Sequence, residues 1–163
     1  MQRWLDDVLA TYSDEAAAAF GRQKDPFANP VGHCLRIATR GIFEALLEGG
    51  DAETIRPHLH EVMKVRAVQD FSASQAVGFV FQLKRAVRAE LREELSGSGA
   101  EHELTEFDER IDEIALAAFD MFVECREQVY QIRVDEMKRR VWWVTDRLNR
   151  RDDEPGATRV DPK

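Results

Sequence analysis

The chain has 163 residues, of which 44% are hydrophobic and 33% charged, and its formal net charge is −8. This apolar content can form one buried core, whereas the acidic balance argues against general affinity for nucleic acid or anionic membranes. The apolar residues recur at helical spacing, without a run of about 18 or a cationic leader, so we expect neither a membrane span nor a signal peptide.

The first helix is predicted over residues 2 to 20, where apolar side chains recur every four residues: Trp4, Val8, Tyr12, Ala16 and Phe20. This spacing is typical of an amphipathic helix. Ser13, which precedes two acidic residues, could instead cap a new helix and divide the segment in two. Both interpretations stay open.

A second helix is predicted to begin at Asn29 and Pro30, because asparagine caps orphan amides and proline suits the first helical position. It should end at the two glycines at positions 49 and 50. Asp51 can cap a third helix that ends near Val68. Pro57 lies several residues into it, so the start could instead lie at Arg56.

The fourth helix follows the stretch Arg66–Phe81, in which Ser72 and Gln75 have the spacing of a capping box. Its first two turns are apolar nearly all round, which predicts a central place in the core. The helix should end after Leu95, where the sequence Ser-Gly-Ser-Gly follows.

A long last helix is predicted from Thr105 and Asp108, a second capping pattern, because no glycine or proline follows until Pro155. One apolar row extends from Leu104 to Ile132. A second row has the same spacing in a different phase: Tyr130, Val134, Met137, Val141, Val144 and Leu148. We expect residues 105–132 to pack into the domain.

Residues 130–150 are then expected to project and to pair with a second copy or another protein. The alternative is a helix that breaks near Arg133 and folds back. Residues 151–163 have no apolar period and are expected to be disordered.

Two glycines lie inside predicted helices, Gly41 and Gly78, where glycine costs about 1 kcal/mol relative to alanine. A close crossing of the second and fourth helices at these glycines, next to Phe79, would offset that cost. The alternative is that they border a small-ligand pocket.

No motif for catalysis or metal binding is apparent. None of the four histidines forms an i,i+4 pair with another, and no phosphate-binding loop or nucleophile elbow is present. Cys34 and Cys125 lack metal-ligand spacing and fit a reducing cytoplasm as buried thiols. We therefore expect no enzyme, cofactor or metal.

The segment 138–151 differs from the rest, with six basic residues, one acidic residue and two tryptophans. Arg140, Trp142, Trp143 and Arg147 are the candidate interaction residues, because tryptophan and arginine are common interface anchors. Core packing and contact with nucleic acid or lipid are the alternatives.

The sequence Ala-Asn-Pro-Val-Gly-His at residues 28–33 and the stretch 66–81 together resemble the N-terminal domain of RsbRD-type RsbT co-antagonists. The resemblance covers roughly residues 5–150. It implies helical signal input, similar in role to the non-haem globin-like sensors of stressosome proteins. No STAS domain follows, so we expect a module without its own output domain.

We therefore predict an all-α fold of five main helices with a globin-like arrangement: a sensory domain at 1–150 and a tail at 151–163. It should be a cytoplasmic homodimer with an unidentified protein partner, and it should neither bind nucleic acid nor insert into membranes. One alternative is a small-ligand or haem-binding domain with His33 or His58 as axial ligand. The other is a structural adaptor.

Overall fold

The computed structural model describes residues 1–22, 25–91 and 101–152. These ranges contain helices and no strand, which confirms the predicted all-α class. The chain divides into two compact units, Met1–Arg126 (unit 1) and Glu127–Lys163 (unit 2). Six helices are described: α1 Gln2–Leu9, α2 Asp14–Arg22, α3 Pro30–Leu47, α4 Ala52–Val68, α5 Ala73–Glu90 and α6 Glu101–Asp152.

The first segment forms two helices, so the alternative with a cap at Ser13 is the correct one. The Ser13 carbonyl accepts a hydrogen bond from Ala17 N at 2.8 Å, and the Ser13 hydroxyl accepts one from Ala16 N at 3.4 Å. Asp14 then opens α2. Both short helices contact α3, and α1 also contacts α5.

The caps of α3 and α4 lie where the sequence predicts them. Asn29 Oδ1 accepts a hydrogen bond from Gly32 N at 2.8 Å. Asp51 Oδ1 accepts one from Thr54 N at 2.9 Å, so α4 begins at Ala52 and passes through Pro57. The later start at Arg56 is wrong: Pro57 lies inside α4, where its missing N–H leaves the Glu53 carbonyl without its helical donor.

The capping box of α5 is also present. Ser72 Oγ accepts a hydrogen bond from Gln75 N at 3.3 Å, and Ser72 N donates to Gln75 Oε1 at 2.9 Å. Two orphan backbone donors at the start of α5 are satisfied in this way. The stretch before α5 therefore has a fixed turn.

The core of unit 1 is formed by side chains of α1, α3, α4, α5 and the first half of α6. Nonpolar burial of this kind supplies most of the stabilisation of a domain. The largest side chains with almost no exposed surface are Trp4, Arg66, Phe79, Leu35, Ile42, Leu46, Ile55, Leu59, Met63, Leu83, Ile111 and Met121. Among the α6 side chains that the structure describes, the last buried one is that of Cys125.

Two arginines join α6 to the ends of earlier helices within unit 1. Arg110 Nη2 donates to the carbonyl of Leu46 at 2.8 Å, near the end of α3. Arg126 Nη1 donates to the carbonyls of Ala67 and Gln69, both at 2.7 Å, at the end of α4. A cation is favourable at a helix C-terminus, because the last carbonyls lack helical donors.

The last helix starts earlier than predicted. α6 begins at Glu101, and the Thr105 hydroxyl donates back to the Glu101 carbonyl at 2.8 Å. Asp108 forms an ion pair with Arg88 of α5. The predicted cap at Thr105 is therefore wrong. The predicted long helix is confirmed, and the alternative with a break near Arg133 is wrong, since α6 is helical through that residue.

The predicted helix end after Leu95 and the predicted disorder of residues 153–163 lie outside the described residues. Of the predicted tail, only positions 151 and 152 are described, and both are helical. α5 extends to Glu90.

The predicted crossing of helices at Gly41 and Gly78 is not present. A Cβ built on Gly78 would have no atom within 4 Å. One built on Gly41 would overlap the imidazole of His58 on α4. The close approach is therefore between Gly41 and a side chain of α4, and the described residues give no packing reason for glycine at position 78.

Candidate functional site

The stretch 66–81 is built around Arg66, which lies in the last turn of α4 and has no exposed surface. Its Nη1 donates to the carbonyls of Gln75 at 2.9 Å and Ala76 at 3.1 Å, in the first turns of α5. Its Nη2 donates to Thr11 Oγ1 at 3.0 Å. The guanidinium thereby joins the end of α4 to α5 and to the segment after α1.

Three aromatic rings enclose the same guanidinium: Phe79 at 4.8 Å, Phe71 at 5.0 Å and Tyr12 at 5.5 Å from Arg66 Cζ. We call these four side chains the Arg66 cluster. Ring faces attract a cation, and the attraction is stronger where water is excluded. The three rings surround the Arg66 guanidinium where most buried arginines have a paired carboxylate.

Burial changes the pKa values of Arg66 and Tyr12 in the directions that favour their uncharged forms. The pKa of Arg66 is lowered by burial and partly restored by Tyr12. The pKa of Tyr12 is raised by burial, an effect that the neighbouring Arg66 charge partly offsets. Arginine stays protonated in proteins, and the raised pKa of Tyr12 keeps that residue neutral near pH 7, so the cluster holds a positive charge in the core.

Phe79, which the sequence placed at a helix crossing or pocket, belongs to this cluster and is fully buried. Its ring stacks on Trp4 with a centroid distance of 6.0 Å and an interplanar angle of 6°. The Trp4 indole donates to the Phe79 carbonyl at 2.7 Å. Phe79 therefore fixes α1 on α5.

An apolar cavity of 390 Å³ lies in unit 1 between the start of α1 and parts of α3, α5 and α6. Arg3 and Glu90, which form an ion pair at 3.5 Å, stand among its lining residues together with Glu103. The apolar walls are formed by Phe43, Leu47, Leu83, Ala86, Val87, Leu91, Leu104 and Phe107. A cavity of this size and lining suits a small apolar molecule.

Neither of the two histidines considered as haem ligands lines this cavity, and neither do Gly41, Gly78 and Phe79. His58 instead packs against Gly41. Among the described residues, no group of three metal-ligating side chains comes together, and no helix is long and apolar enough to cross a membrane.

The second apolar row of α6 is exposed along its length in unit 2. We call it the α6 row. The exposed fractions are Tyr130 52%, Val134 43%, Met137 65%, Val141 64%, Val144 60% and Leu148 55%. The steps of four and three residues keep these side chains within a stripe about 80° wide on a regular helix. Such a narrow stripe is typical of a coiled-coil seam.

Of the predicted interaction residues, Arg140 and Arg147 flank the α6 row, and Arg133 continues their line one heptad earlier. Trp142 and Trp143 are 62% and 69% exposed. They lie roughly 100° or more from the centre of the row on a regular helix. The structure thus brings the two arginines to the row and places both tryptophans on other faces of α6.

Two parts of the candidate site were not predicted, the burial of Arg66 and the cavity. The capping pattern places Arg66 near a helix end, where arginine is usually exposed. Its burial depends on rings from residues 12, 71 and 79, which only the tertiary fold brings together. The cavity likewise depends on four helices that no local pattern relates.

Comparison with known protein families matches residues 1–137 to the family described as RsbT co-antagonist protein rsbRD N-terminal domain. No curated protein matches the chain. No solved structure matches it.

Proposed function

The chain belongs to the RsbT co-antagonist protein rsbRD N-terminal domain family, and we propose that it is a non-enzymatic regulatory module of bacterial signalling that acts by contacting other proteins. The observation that carries this proposal is the α6 row, six apolar side chains that are all exposed at coiled-coil spacing. An exposed apolar stripe of this kind marks a protein-binding surface. A cytoplasmic location is part of the proposal.

We include in the proposal a homodimer formed through unit 1. Four of its exposed apolar side chains support this: Phe81 of α5 and Leu116, Phe119 and Val123 of α6. Lys84 on α5 pairs with Asp112 on α6 at 2.6 Å, one turn from Phe81 and Leu116, so the two helices present these side chains at the same level. A two-fold interface uses one patch on both copies.

The regulatory role is tested in the cell of origin with Val141→Asp and Val144→Asp together, read by a reporter of stress-induced transcription. The double variant should be present at the wild-type protein level but should not give the transcriptional response of the wild type, because the aspartates make the α6 row polar. Arg139→Ala, which changes another exposed position of α6, is the control. A normal response in the double variant would refute the role.

The homodimer is tested by the mass of the purified chain in light scattering. Leu116→Glu with Phe119→Glu should halve that mass while the far-ultraviolet circular dichroism stays unchanged. A monomeric wild-type chain would refute the homodimer, and so would a double variant that stays dimeric.

The cavity supports a second candidate function, the sensing of a small apolar ligand. Ala86 is almost fully buried and lines the cavity, so Ala86→Phe should fill it. Ala89→Phe, at an exposed position of the same helix, is the matched control. The neutral dye N-phenyl-1-naphthylamine should fluoresce with the wild type and the control and not with Ala86→Phe; equal fluorescence in all three would exclude the cavity as its site.

A further inference from the structure

Three arginines beside the α6 row have no partner in the part of the chain that the structure describes. Arg133, Arg140 and Arg147 recur every seven residues, are exposed, and form neither an ion pair nor a hydrogen bond there. We call them the arginine line. The neighbouring Lys138 differs, because it pairs with Asp135 at 3.6 Å. The described residues therefore leave the arginine line unpaired; Glu136 lies one helical turn from Arg133 and from Arg140 and forms an ion pair with neither.

The heptad positions of the α6 row fix where the arginine line lies. Val134, Val141 and Leu148 occupy position a, and Tyr130, Met137 and Val144 occupy position d. All three arginines then fall at position g. The other flank, position e, carries Gln131, Lys138 and Thr145. Residues at g and e decide which partner helix a coiled coil accepts.

A second copy of the same row does not satisfy these charges. In a parallel pair, position g faces position e of the partner, which would place Arg133 beside a lysine and Arg140 beside a threonine. In an antiparallel pair, position g faces position g, and arginine would face arginine. Like charges at these positions disfavour association.

The form of the stripe also argues against a lipid surface. Helices that lie on membranes have a wide apolar face that includes their aromatic residues. Here the apolar stripe is narrow, and Trp142 and Trp143 lie away from it. Asp135, Glu136 and Asp146 add negative charge on other faces of the same segment.

We propose that the α6 row binds an amphipathic helix of another protein, with apolar residues at a and d and with aspartate or glutamate on the flank that faces the arginine line. The partner would extend over about five helical turns, since the row spans 19 residues from Tyr130 to Leu148. The apolar residues at a and d would be buried between the two helices. The acidic flank would set the orientation of the partner and distinguish it from helices without acidic residues at those positions. This inference rests on the proposed function, because it names the partner of the same surface.

Two designed peptides test the inference on the full chain. Both are 28-residue heptad repeats with isoleucine at a and leucine at d; one carries glutamate at e and g, and the other lysine. Fluorescence anisotropy should show at least about tenfold tighter binding of the glutamate peptide. This preference should weaken as salt rises.

Variants with reversed charges test whether the arginine line sets the peptide preference. Arg133→Glu, Arg140→Glu and Arg147→Glu together should reverse the preference toward the lysine peptide. Arg139→Glu and Arg150→Glu, at exposed positions away from the row, should leave the preference unchanged. Circular dichroism checks that both variants keep their helices.

Other outcomes overturn the inference. Equal affinity for the two peptides, binding of neither, or a preference that the triple reversal leaves intact would each refute it. Binding to phosphatidylserine vesicles without binding to the glutamate peptide would assign the surface to lipid instead. The reporter response to Val141→Asp and Val144→Asp is independent of peptide binding, so failure of this inference and failure of the regulatory role are distinguishable.

Discussion

At the scale of single residues, Arg66 replaces the usual ion pair of a buried arginine with ring faces and carbonyl oxygens. Three rings lie within 5.5 Å of its guanidinium carbon, and three oxygens accept its Nη hydrogens. Because these groups come from different segments, one side chain holds together the end of α4, the start of α5 and the turn after α1.

Arg66→Ala should lower the free energy of unfolding by about 3 to 5 kcal/mol, since it leaves a cavity and removes three hydrogen bonds. Arg66→Met should cost less, because methionine keeps the contacts with the rings and no charge has to be desolvated. Urea denaturation followed by circular dichroism measures both. An alanine variant within about 1 kcal/mol of the wild type would contradict the role given to Arg66.

The two helical glycines should respond differently to alanine. Gly78→Ala should raise the free energy of unfolding by up to about 1 kcal/mol, because alanine favours a helix and meets no neighbouring atom. Gly41→Ala should be the less stable of the two, since its Cβ would displace the His58 ring. Thermal unfolding compares them, and equal stability would contradict the close contact with His58.

At the scale of elements, the caps explain why so much of the fold follows from local sequence. Asn29, Asp51 and Ser72 each bond a backbone amide three residues ahead, a contact that needs no tertiary partner. Thr105 shows the limit of such reasoning. A threonine with an acidic residue three positions later also occurs inside helices, where its hydroxyl bonds back to the preceding turn.

Local sequence patterns do not show which side chains meet in the tertiary fold. Gly78 was predicted to lie at a crossing because a helical glycine usually has a packing reason, but the space beside it is open. The exposed α6 row was predicted in full, since its spacing is visible in the sequence. The sequence did not show that the arginine line is the flank without ion pairs. That followed from the ion pairs of the described residues, such as the one between Lys138 and Asp135.

The capping box of α5 gives a prediction at this scale. Ser72→Ala should lower the free energy of unfolding by about 1 kcal/mol, because one orphan amide loses its acceptor. Arg85→Ala, at an exposed position later in the same helix, is the control and should change it little. Equal losses in the two variants, measured by urea denaturation, would show that the box does not stabilise α5.

At the scale of the whole molecule, the buried core belongs to unit 1. Every buried side chain among the described residues lies at or before Cys125, and Arg126 bonds the carbonyls at the end of α4. The stability of unit 1 therefore does not require the apolar side chains beyond it. Unit 2 contributes exposed surface.

A chain that ends at Glu127 should accordingly unfold in one cooperative thermal transition close to that of the full chain. A chain that ends at Glu113 should not fold, because it lacks Ile114, Ala118 and Met121, which are buried in the core. Differential scanning calorimetry compares the two. Failure of the longer fragment to fold would show that unit 2 contributes to the core.

The exposure of the α6 row has a further practical consequence. Between Tyr130 and Arg150 the chain carries six lysines and arginines, all exposed on a helix, so trypsin has six bonds within reach whenever that helix opens locally. A partner that covers the row would slow this opening and protect those bonds. The rate of tryptic cleavage in this segment should thus report, in a cell extract and without a label, whether the row is occupied.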